Sequence, residues 1–500
     1  MQSAKYKHLK SGTDVRGIAV GDNSPVTLTD GAVLDVTRAF AKWLKNKSGK
    51  SRLKIAVGND SRISADRIVK CVKEGLTASG CNVVYTGLSS TPSMFILLKK
   101  SDFGCDGSIM ITASHLPYDR NGLKFFTPDG GLDGKDIDEI LALAESGNFE
   151  NGKGVCENKS FMDGYSGILV DLIRRQTGKE KPLAGKKIIV DAGNGAGGFF
   201  ADKVLKPLGA NTEGSQFLEP DGLFPNHAPN PEDKQAIKSL SDAVVKHGAD
   251  LGIIFDTDVD RAGAVDCDGG EINRNRLIAL LSAMLLKDKA GVIVTDSVTS
   301  DGLTEFIESL GGKHLRYMRG YKNVIDKCNE VNAAGGYSPL AIETSGHAAF
   351  LENYMLDDGA YVVAKLLISL ANAKAGEKLT SVISTLPEAV ECDEIRLTFN
   401  EKSADFKKEG AKLIEDLKAY ALKSDGMRLA EENYEGARIN FKKGEGDGWL
   451  LLRQSVHDPV IPINFESNSK GGNKLMAETL LKFLEGYEFL NLENLKNFTY

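Results

Sequence analysis

The sequence predicts an α/β fold: three similar α/β domains with mainly parallel mixed sheets, followed by a C-terminal α+β domain with an antiparallel sheet. Three observations lead there. Short β-branched runs recur along the chain, each ending in a polar loop. Apolar residues at helical spacing fill the intervals, and alternating strand and helix signals are the mark of α/β domains. Over roughly the last hundred residues the pattern changes to successive strand-like runs separated by one long helix and short turns.

In chain order, Leu53-Lys54-Ile55-Ala56-Val57 runs into Gly58-Asn59-Asp60, and Ser108-Ile109-Met110-Ile111 into Thr112-Ala113-Ser114. Ile188-Ile189-Val190 runs into Asp191, Leu251-Gly252-Ile253-Ile254-Phe255 into Asp256, and Val292-Ile293-Val294 into Thr295. Such runs suit strands buried on both faces by helices. Val33, Val36, Phe40, Trp43 and Leu44 recur at helical spacing, as do the apolar residues of 361–367. In the last part, Glu394 to Phe399, Arg438 to Phe441, Trp449 to Leu452 and Ile461 to Phe465 read as strands. Linkers are expected near residues 150–154, 268–271 and 386–388, giving domains over 1–155, 156–270, 271–386 and 387–500.

At 500 residues the chain is too long for one hydrophobic core, and length alone suggests roughly three or four domains. A net charge of -7 argues against a nucleic-acid partner, whose backbone is usually met by a basic face. The seven cysteines are dispersed and form no C-x-x-C pair, so they read as reduced thiols rather than zinc ligands or a redox motif. The N-terminal residues lack the apolar stretch of a signal peptide, and no run reaches the roughly 18–20 apolar residues of a membrane span. A cytoplasmic protein with no membrane partner is the expectation, although a trimmed organellar precursor would read the same way.

The strongest local pattern is Asp256-Thr257-Asp258-Val259-Asp260-Arg261 after an apolar run. Alternate carboxylates can converge on one hard cation. An EF-hand loop is excluded because Arg261 and Cys267 stand where it needs Gly and Glu; a solvated acidic turn is the plainer alternative. Ser114 lacks the flanking glycines of a hydrolase nucleophile elbow, and alone its loop reads equally as a helix N-cap. Lys124 is either a proton shuttle, its pKa depressed beside a metal and a serine, or a surface cation. Gly193-Asn194-Gly195-Ala196-Gly197-Gly198 is formally a dinucleotide-binding G-x-G-x-x-G with Glu213 downstream, but Asp191 at the strand end would repel a pyrophosphate. Glu343-Thr344-Ser345-Gly346-His347 is suited to gripping vicinal hydroxyls, or is an ordinary polar turn. Arg453 and Ser455 suit phosphate, or form a plain strand edge.

The order of these loops in the chain resembles the α-D-phosphohexomutase superfamily, which includes phosphoglucomutase, phosphomannomutase and phosphoglucosamine mutase. The resemblance starts at Gly12-Thr13-Asp14-Val15-Arg16-Gly17 and covers essentially the whole chain. It implies four domains with one loop from each facing a central cleft. It also implies that Ser114 is the phosphorylated serine, and that Asp256, Asp258 and Asp260, with Ser114 itself, hold Mg²⁺. Arg261 and Arg16 would lie by the phosphoserine, and His115 and Lys124 would be acid/base candidates. Gly320, Tyr321, Glu343, Ser345 and His347 would bind the sugar, and Arg453 and Ser455 the non-reacting phosphate. The implied activity transfers a phosphoryl group between C1 and C6 of a hexose phosphate through a hexose 1,6-bisphosphate, which is both intermediate and activator. The partners would be small hexose phosphates, glucose or mannose phosphate before glucosamine phosphate, and the assembly a monomer or weak dimer.

Departures concentrate in the C-terminal loop, usually R-x-S-G-T-E-P-x-x-R. Val456, His457 and Asp458 replace Gly, Thr and Glu, and Pro462 stands where the second Arg belongs. Thr257 and Ile342 each replace a usual Gly. His457, where Thr is usual, is expected beside the non-reacting phosphate, its protonated form favoured by the dianion. The same departures motivate a second reading, a catalytically weak or regulatory sugar-phosphate-binding paralogue. Retention of Ser114, the three Asp and Lys124 speaks against it, because a binder needs no phosphoryl carrier.

Overall fold

The computed structural model describes residues 5–22, 24–374, 377–455 and 459–499. The chain forms two compact units, one of residues up to Asn273 with Ser345–Ser381, the other of Arg274–Thr344 with residues from Val382 onward.

The first unit opens with a mixed sheet whose parallel part follows the apolar runs. Lys54–Asn59 pairs in parallel with Asn82–Leu88 and Gly107–Ile111, and Asn82–Leu88 with Cys156–Asn158. Gly107–Ile111 is buried along its whole length, as a strand covered on both faces must be. The strand Arg120–Thr127, which sequence reading did not mark, runs antiparallel to both Gly107–Ile111 and Asp14–Ile18. Its register sets Lys124 opposite Met110 and Arg16 opposite Gly122. One return strand therefore joins three segments that carry candidate residues.

The helix Asp30–Ser48 shows why the expected spacing becomes a helix. Thr29 accepts the Ala32 N–H, Lys45 and Lys47 sit in the last turn, and Gly49 closes it at φ 69°. Its Val33, Val36, Phe40, Trp43 and Leu44 enter the core. Residues 150–154 are not a free linker. Gly154 donates its N–H to the Thr77 carbonyl at 2.9 Å, and a Cβ there would lie 1.8 Å from the Cys81 oxygen. Glycine serves close backbone approach at that point, not flexibility.

In the next sheet Ile188–Asp191 runs parallel to Leu251–Phe255, which turns back antiparallel as Ala262–Asp266. The acidic segment 256–261 is therefore a hairpin loop, with Phe255 opposite Ala262. Residues 268–270, also expected as a linker, are the turn into Glu271–Ile272, where the Asp266 N–H bonds the Gly270 carbonyl at 2.8 Å.

The glycine-rich turn after Asp191 packs rather than cradles a pyrophosphate. A Cβ on Gly195 would lie 2.7 Å from the Thr257 carbonyl oxygen, which already accepts the Ala196 N–H at 2.8 Å. Asp191 is engaged by Gln216 at 2.7 Å, His227 at 3.0 Å and the Gly193 N–H at 2.9 Å. Residues 345–381 add the antiparallel pair Ala348–Phe350 and Leu356–Asp357 and the buried helix Gly359–Asn372.

In the second unit Val292–Thr295 lies in parallel between Lys313–Arg316 and Leu340–Ile342. A six-stranded antiparallel sheet follows, in spatial order Met427–Leu429, Ala437–Phe441, Gly448–Leu452, Val460–Ser467, Glu391–Phe399 and Leu490–Asn491. Ile461, Ile463 and Phe465 alternate into its core. Besides the expected helix Phe406–Ala421 there are Gly472–Leu484 and Glu493–Thr499, because Met476, Leu480 and Leu484 form a buried helical face. Residues 386–388, the third expected linker, pack as well, since a Cβ on Gly302 would lie 2.2 Å from the Pro387 oxygen. Arg438 ties the two parts of this unit together. It stacks 3.6 Å from the Trp449 ring centroid and donates to the carbonyls of Ser297 and Thr299 and to Asp301. Among the described residues no helix is long and apolar enough to cross a membrane.

The Gly195 contact yields a test. Gly195→Ala should force the turn off the acidic hairpin and destabilise the unit by about 1–3 kcal/mol, read as a lower urea midpoint. An unchanged midpoint would show that the turn yields freely.

Candidate active site

Ser114 follows the buried strand Gly107–Ile111 in a tight loop at φ 52°, a conformation costly for a residue with a Cβ. No helix starts there; the chain continues into Arg120–Thr127, which removes the N-cap reading. The loop is held by a buried cation that sequence reading missed. Arg62 donates to the carbonyls of Ser114, Leu116, Pro117 and Arg120, with Asp60 balancing its charge at 3.2 Å. Nothing local in Ser61-Arg62-Ile63 announces this, because every carbonyl involved is more than fifty positions away.

Ser114 is itself only 3% exposed. Its hydroxyl donates to Asp256 Oδ2 at 3.0 Å, and Arg261 Nη2 reaches the same oxygen atom of the serine at 3.5 Å. The hairpin brings Asp256, Asp258 and Asp260 together with their carboxylate oxygens within 4.8 Å of one another. Val259 turns the loop at φ 66°, and the Gly359 N–H holds its carbonyl at 3.1 Å. Thr91, also unmarked by sequence, donates its hydroxyl and its N–H to Asp258.

Cations surround these carboxylates. Lys124 Nζ lies 2.5 Å from Asp260 and 3.5 Å from Asp258. Arg261 contacts Asp256 through Nε and Nη2, both at 3.3 Å, and is aimed by Asn230 at 3.3 Å and Glu232 at 3.8 Å. Arg16 is held by Asp14 at 2.7 Å; burial opposes its charge, but Asp14, Asp258 and Asp260 reinforce it. Asp256 is pushed well above the ordinary carboxylate range by burial and by the charges of Asp260 and Asp258. Burial also disfavours the Asp260 charge, yet Lys124, His347 and Arg261 hold it below that range. The trio thus shares its protons unequally. Asp258 Oδ1 and Asp260 Oδ1 are buried with no hydrogen-bond partner among the described residues. Oxygen donors so placed fit a hard divalent cation.

Two histidines flank the serine with opposite tendencies. His115 is an exposed residue whose Nδ1 lies 3.4 Å from Ser114 Oγ; partial desolvation of its ring and the charges of Arg261 and Arg16 lower its pKa. His347 loses by burial but gains more from Asp357, 2.5 Å from its Nδ1, and from Asp260, so its pKa is raised. Gly346 lets this segment close on the hairpin, where a Cβ would meet the Ala262 carbonyl at 2.9 Å, and Ser345 beside it is 9% exposed.

The remaining candidates lie in the second unit. The Gly320 N–H donates to Glu343 at 2.7 Å, and Tyr321 starts the helix Tyr321–Ala333. The Arg453 N–H bonds the Pro462 carbonyl and the Ser455 N–H the Val460 carbonyl, each at 3.1 Å. His457 lies outside the described residues, as do Val456 and Asp458.

Models of phosphoglucomutase/phosphomannomutase α/β/α domains I, II and III match residues 8–151, 165–269 and 273–390. The chain is 31% identical to a phosphoglucomutase of Neisseria gonorrhoeae over 91% of its own length and 92% of the relative's. It is 30% identical to a phosphomannomutase/phosphoglucomutase of Pseudomonas aeruginosa over 91% of each. A crystal structure of a family protein from Burkholderia thailandensis superposes with a TM-score of 0.80 at 29% identity, covering 97% of this chain and 98% of that one.

The clamp on the serine loop can be tested directly. Arg62→Ala leaves Asp60 as an uncompensated buried charge and four carbonyls short of a donor. A loss of about 3–5 kcal/mol in unfolding free energy is expected. A loss below about 1 kcal/mol would mean that the loop holds without the guanidinium.

Proposed function

This chain belongs to the phosphoglucomutase/phosphomannomutase family and is an isomerase of the phosphohexomutase class; on that premise we propose that Ser114 carries the phosphoryl group between C1 and C6 of a hexose phosphate. The observation that supports the carrier role is the Ser114 hydroxyl, buried and 3.0 Å from Asp256 Oδ2, with Arg261 directed at the same atom.

In the first half-reaction the bond between Ser114 Oγ and phosphorus breaks while a sugar hydroxyl oxygen bonds to phosphorus, and the hydroxyl proton passes to a base. Ser114 recovers a proton, and the product is a hexose 1,6-bisphosphate. In the second half-reaction the other phosphoryl group of that intermediate bonds to Ser114 Oγ and leaves its sugar oxygen, which takes up a proton. Arg261 and Arg16 offset charge on the phosphoryl oxygens, the largest service a protein performs in phosphoryl transfer. Asp256, Asp258 and Asp260, with an oxygen of Ser114 or its phosphate, would hold Mg²⁺, which supplies Lewis-acid neutralisation of the transferring group.

His115, whose pKa is lowered by desolvation and by Arg261 and Arg16 in the unphosphorylated protein, lies 3.4 Å from Ser114 Oγ and would gain basicity beside a phosphoryl dianion, which suits it to accept a proton there. His347, favoured as the cation by Asp357, suits the donating role, and Lys124 remains a candidate for either. Gly320, Tyr321, Glu343, Ser345 and His347 are assigned to the sugar, and Arg453 and Ser455 to the phosphate that does not react. The buried cation and carboxylate set around Ser114 would be without use in a mere sugar-phosphate binder, which disfavours that alternative.

Ser114→Ala should lower mutase turnover by several orders of magnitude, and intact mass should show phosphoryl uptake from a hexose 1,6-bisphosphate by the wild type only. Near-normal turnover in the variant would remove Ser114 from the mechanism.

The metal assignment has a pH signature. Because Asp256 titrates above its ordinary 3.8, the metal-free protein is most stable while that proton is bound. It loses stability as pH rises through the raised value, where the trio carries its full charge. Bound Mg²⁺ replaces the proton, so the rise in Tm produced by Mg²⁺ should be larger near about pH 8 than near about pH 5. Equal shifts at both values would contradict the carboxylate site.

A further inference from the structure

The C-terminal loop is short of positive charge where Pro462 replaces the second arginine of the resembled pattern. The Pro462 carbonyl accepts the Arg453 N–H at 3.1 Å, so position 462 adjoins Arg453 without supplying a cation. Arg396, directly across the sheet from Pro462, does not make up the deficit: its side chain is 64% exposed and is held by Glu394 at 2.8 Å.

A second arginine shares a carboxylate with Arg453, though it comes from another element. Arg319 lies just after the strand Lys313–Arg316 and immediately before Gly320 and Tyr321. Its N–H donates to Glu435 Oε2 at 2.9 Å, while Glu435 Oε1 lies 3.9 Å from Arg453 Nη1. Ser297 donates to the same carboxylate at 2.6 Å. Arg319 Nε lies 3.6 Å from Asp296, which also accepts the Thr344 hydroxyl at 2.8 Å. After burial, the charge of Arg319 is the main influence weakening the hold of Arg453 on its proton.

Like charges that influence each other repel unless an anion joins them. Glu435, Asp296 and Glu394 all face Arg453, but two of them are already engaged by the donors just named and the third by Arg396. Asp296 is wholly buried, whereas 27% of the Arg319 side chain stays open to solvent. Arg319 thus keeps part of its guanidinium surface available to a ligand while its carboxylate partner Asp296 is hidden. Arg453 is 7% exposed, and its Nε has no acceptor among the described residues. A buried guanidinium donor without a partner is costly unless a ligand supplies the acceptor, and phosphate oxygens match the guanidinium fork.

We infer that Arg319 is the second cation of the site for the substrate's non-reacting phosphate, paired with Arg453 in place of the arginine missing at position 462, with Glu435 setting their spacing. The identity of the ligand rests on the mutase reading above. One stretch of backbone then carries both the phosphate contact at Arg319 and the sugar loop at Gly320 and Tyr321, so the phosphate anchors the segment that reads the sugar.

The experiment compares wild type, Arg319→Ala and Arg319→Lys in mutase kinetics with glucose 1-phosphate and a hexose 1,6-bisphosphate activator, with Tm measured alongside. Removing one charge-assisted phosphate contact should raise KM by about tenfold or more and change kcat by less than about threefold. Lysine, which keeps the charge but loses the fork, should fall between the two. An active wild type with KM unchanged in Arg319→Ala overturns the inference. So does a parallel fall in kcat and Tm with KM unaltered, which would mark a structural role. An inactive wild type would instead defeat the mutase reading. Equilibrium binding of glucose 1-phosphate to wild type and Arg319→Ala would then decide the cation's role separately, with weaker binding by the variant supporting it and equal binding overturning it.

Discussion

Three aspartate side chains with oxygens inside 4.8 Å of each other, all but excluded from solvent, repel strongly. Most of what surrounds them in the first unit serves to offset that repulsion. Lys124 pairs with Asp260 and Asp258, Arg261 with Asp256, and a proton is favoured on Asp256. Each cation comes from a different strand or loop. The antiparallel return of Arg120–Thr127 delivers Lys124 and fixes Arg16 opposite Gly122, so the sheet's register and the charge balance of the site are one constraint.

The backbone around this cluster is held from outside rather than by its own preference. Ser114 and Val259 both sit at positive φ, at 52° and 66°. Such conformations persist only when neighbours over-determine them. For Ser114 the neighbours are Arg62 on the loop carbonyls and Thr112 on its N–H at 2.9 Å; for Val259 the Gly359 N–H holds its carbonyl. Glycines at 195, 346 and 359 supply the clearance that lets three other segments lie against the hairpin. Rigidity of this kind suits phosphoryl transfer, where positioning and fixed charge do most of what a protein can do.

The second unit uses the same economy of charge for a different end. A single carboxylate, Glu435, receives the Arg319 N–H and the Ser297 hydroxyl while facing Arg453. Arg438, stacked on Trp449, fastens the antiparallel sheet to the loop from Ser297 to Asp301. The parallel strands and the antiparallel sheet are thereby joined through a buried arginine whose donors meet backbone carbonyls and a carboxylate.

The sequence by itself determined several central strands, because runs such as Gly107–Ile111 and Leu251–Phe255 carry their burial in their composition, but not the return strand Arg120–Thr127. It also marked Asp256, Asp258 and Asp260 as a candidate cation loop, whereas the antiparallel return that makes that loop a hairpin came from the structure. The helix carrying Val33, Val36, Phe40, Trp43 and Leu44 was legible in its spacing. Tertiary structure alone decided which charge meets which. Arg62, Thr91, Asp357 and Glu435 look like ordinary polar residues in their own neighbourhoods, and the glycines of 193–198 imitate a nucleotide loop until Thr257 is seen against Gly195. The segments expected as linkers, 150–154, 268–271 and 386–388, are held by close backbone contacts or a turn, which their local sequence does not reveal. Periodicity is written between near neighbours in the chain, whereas the electrostatic partners of a buried group are chosen by sheet register and loop closure, as where Lys124 meets Asp260 136 positions away.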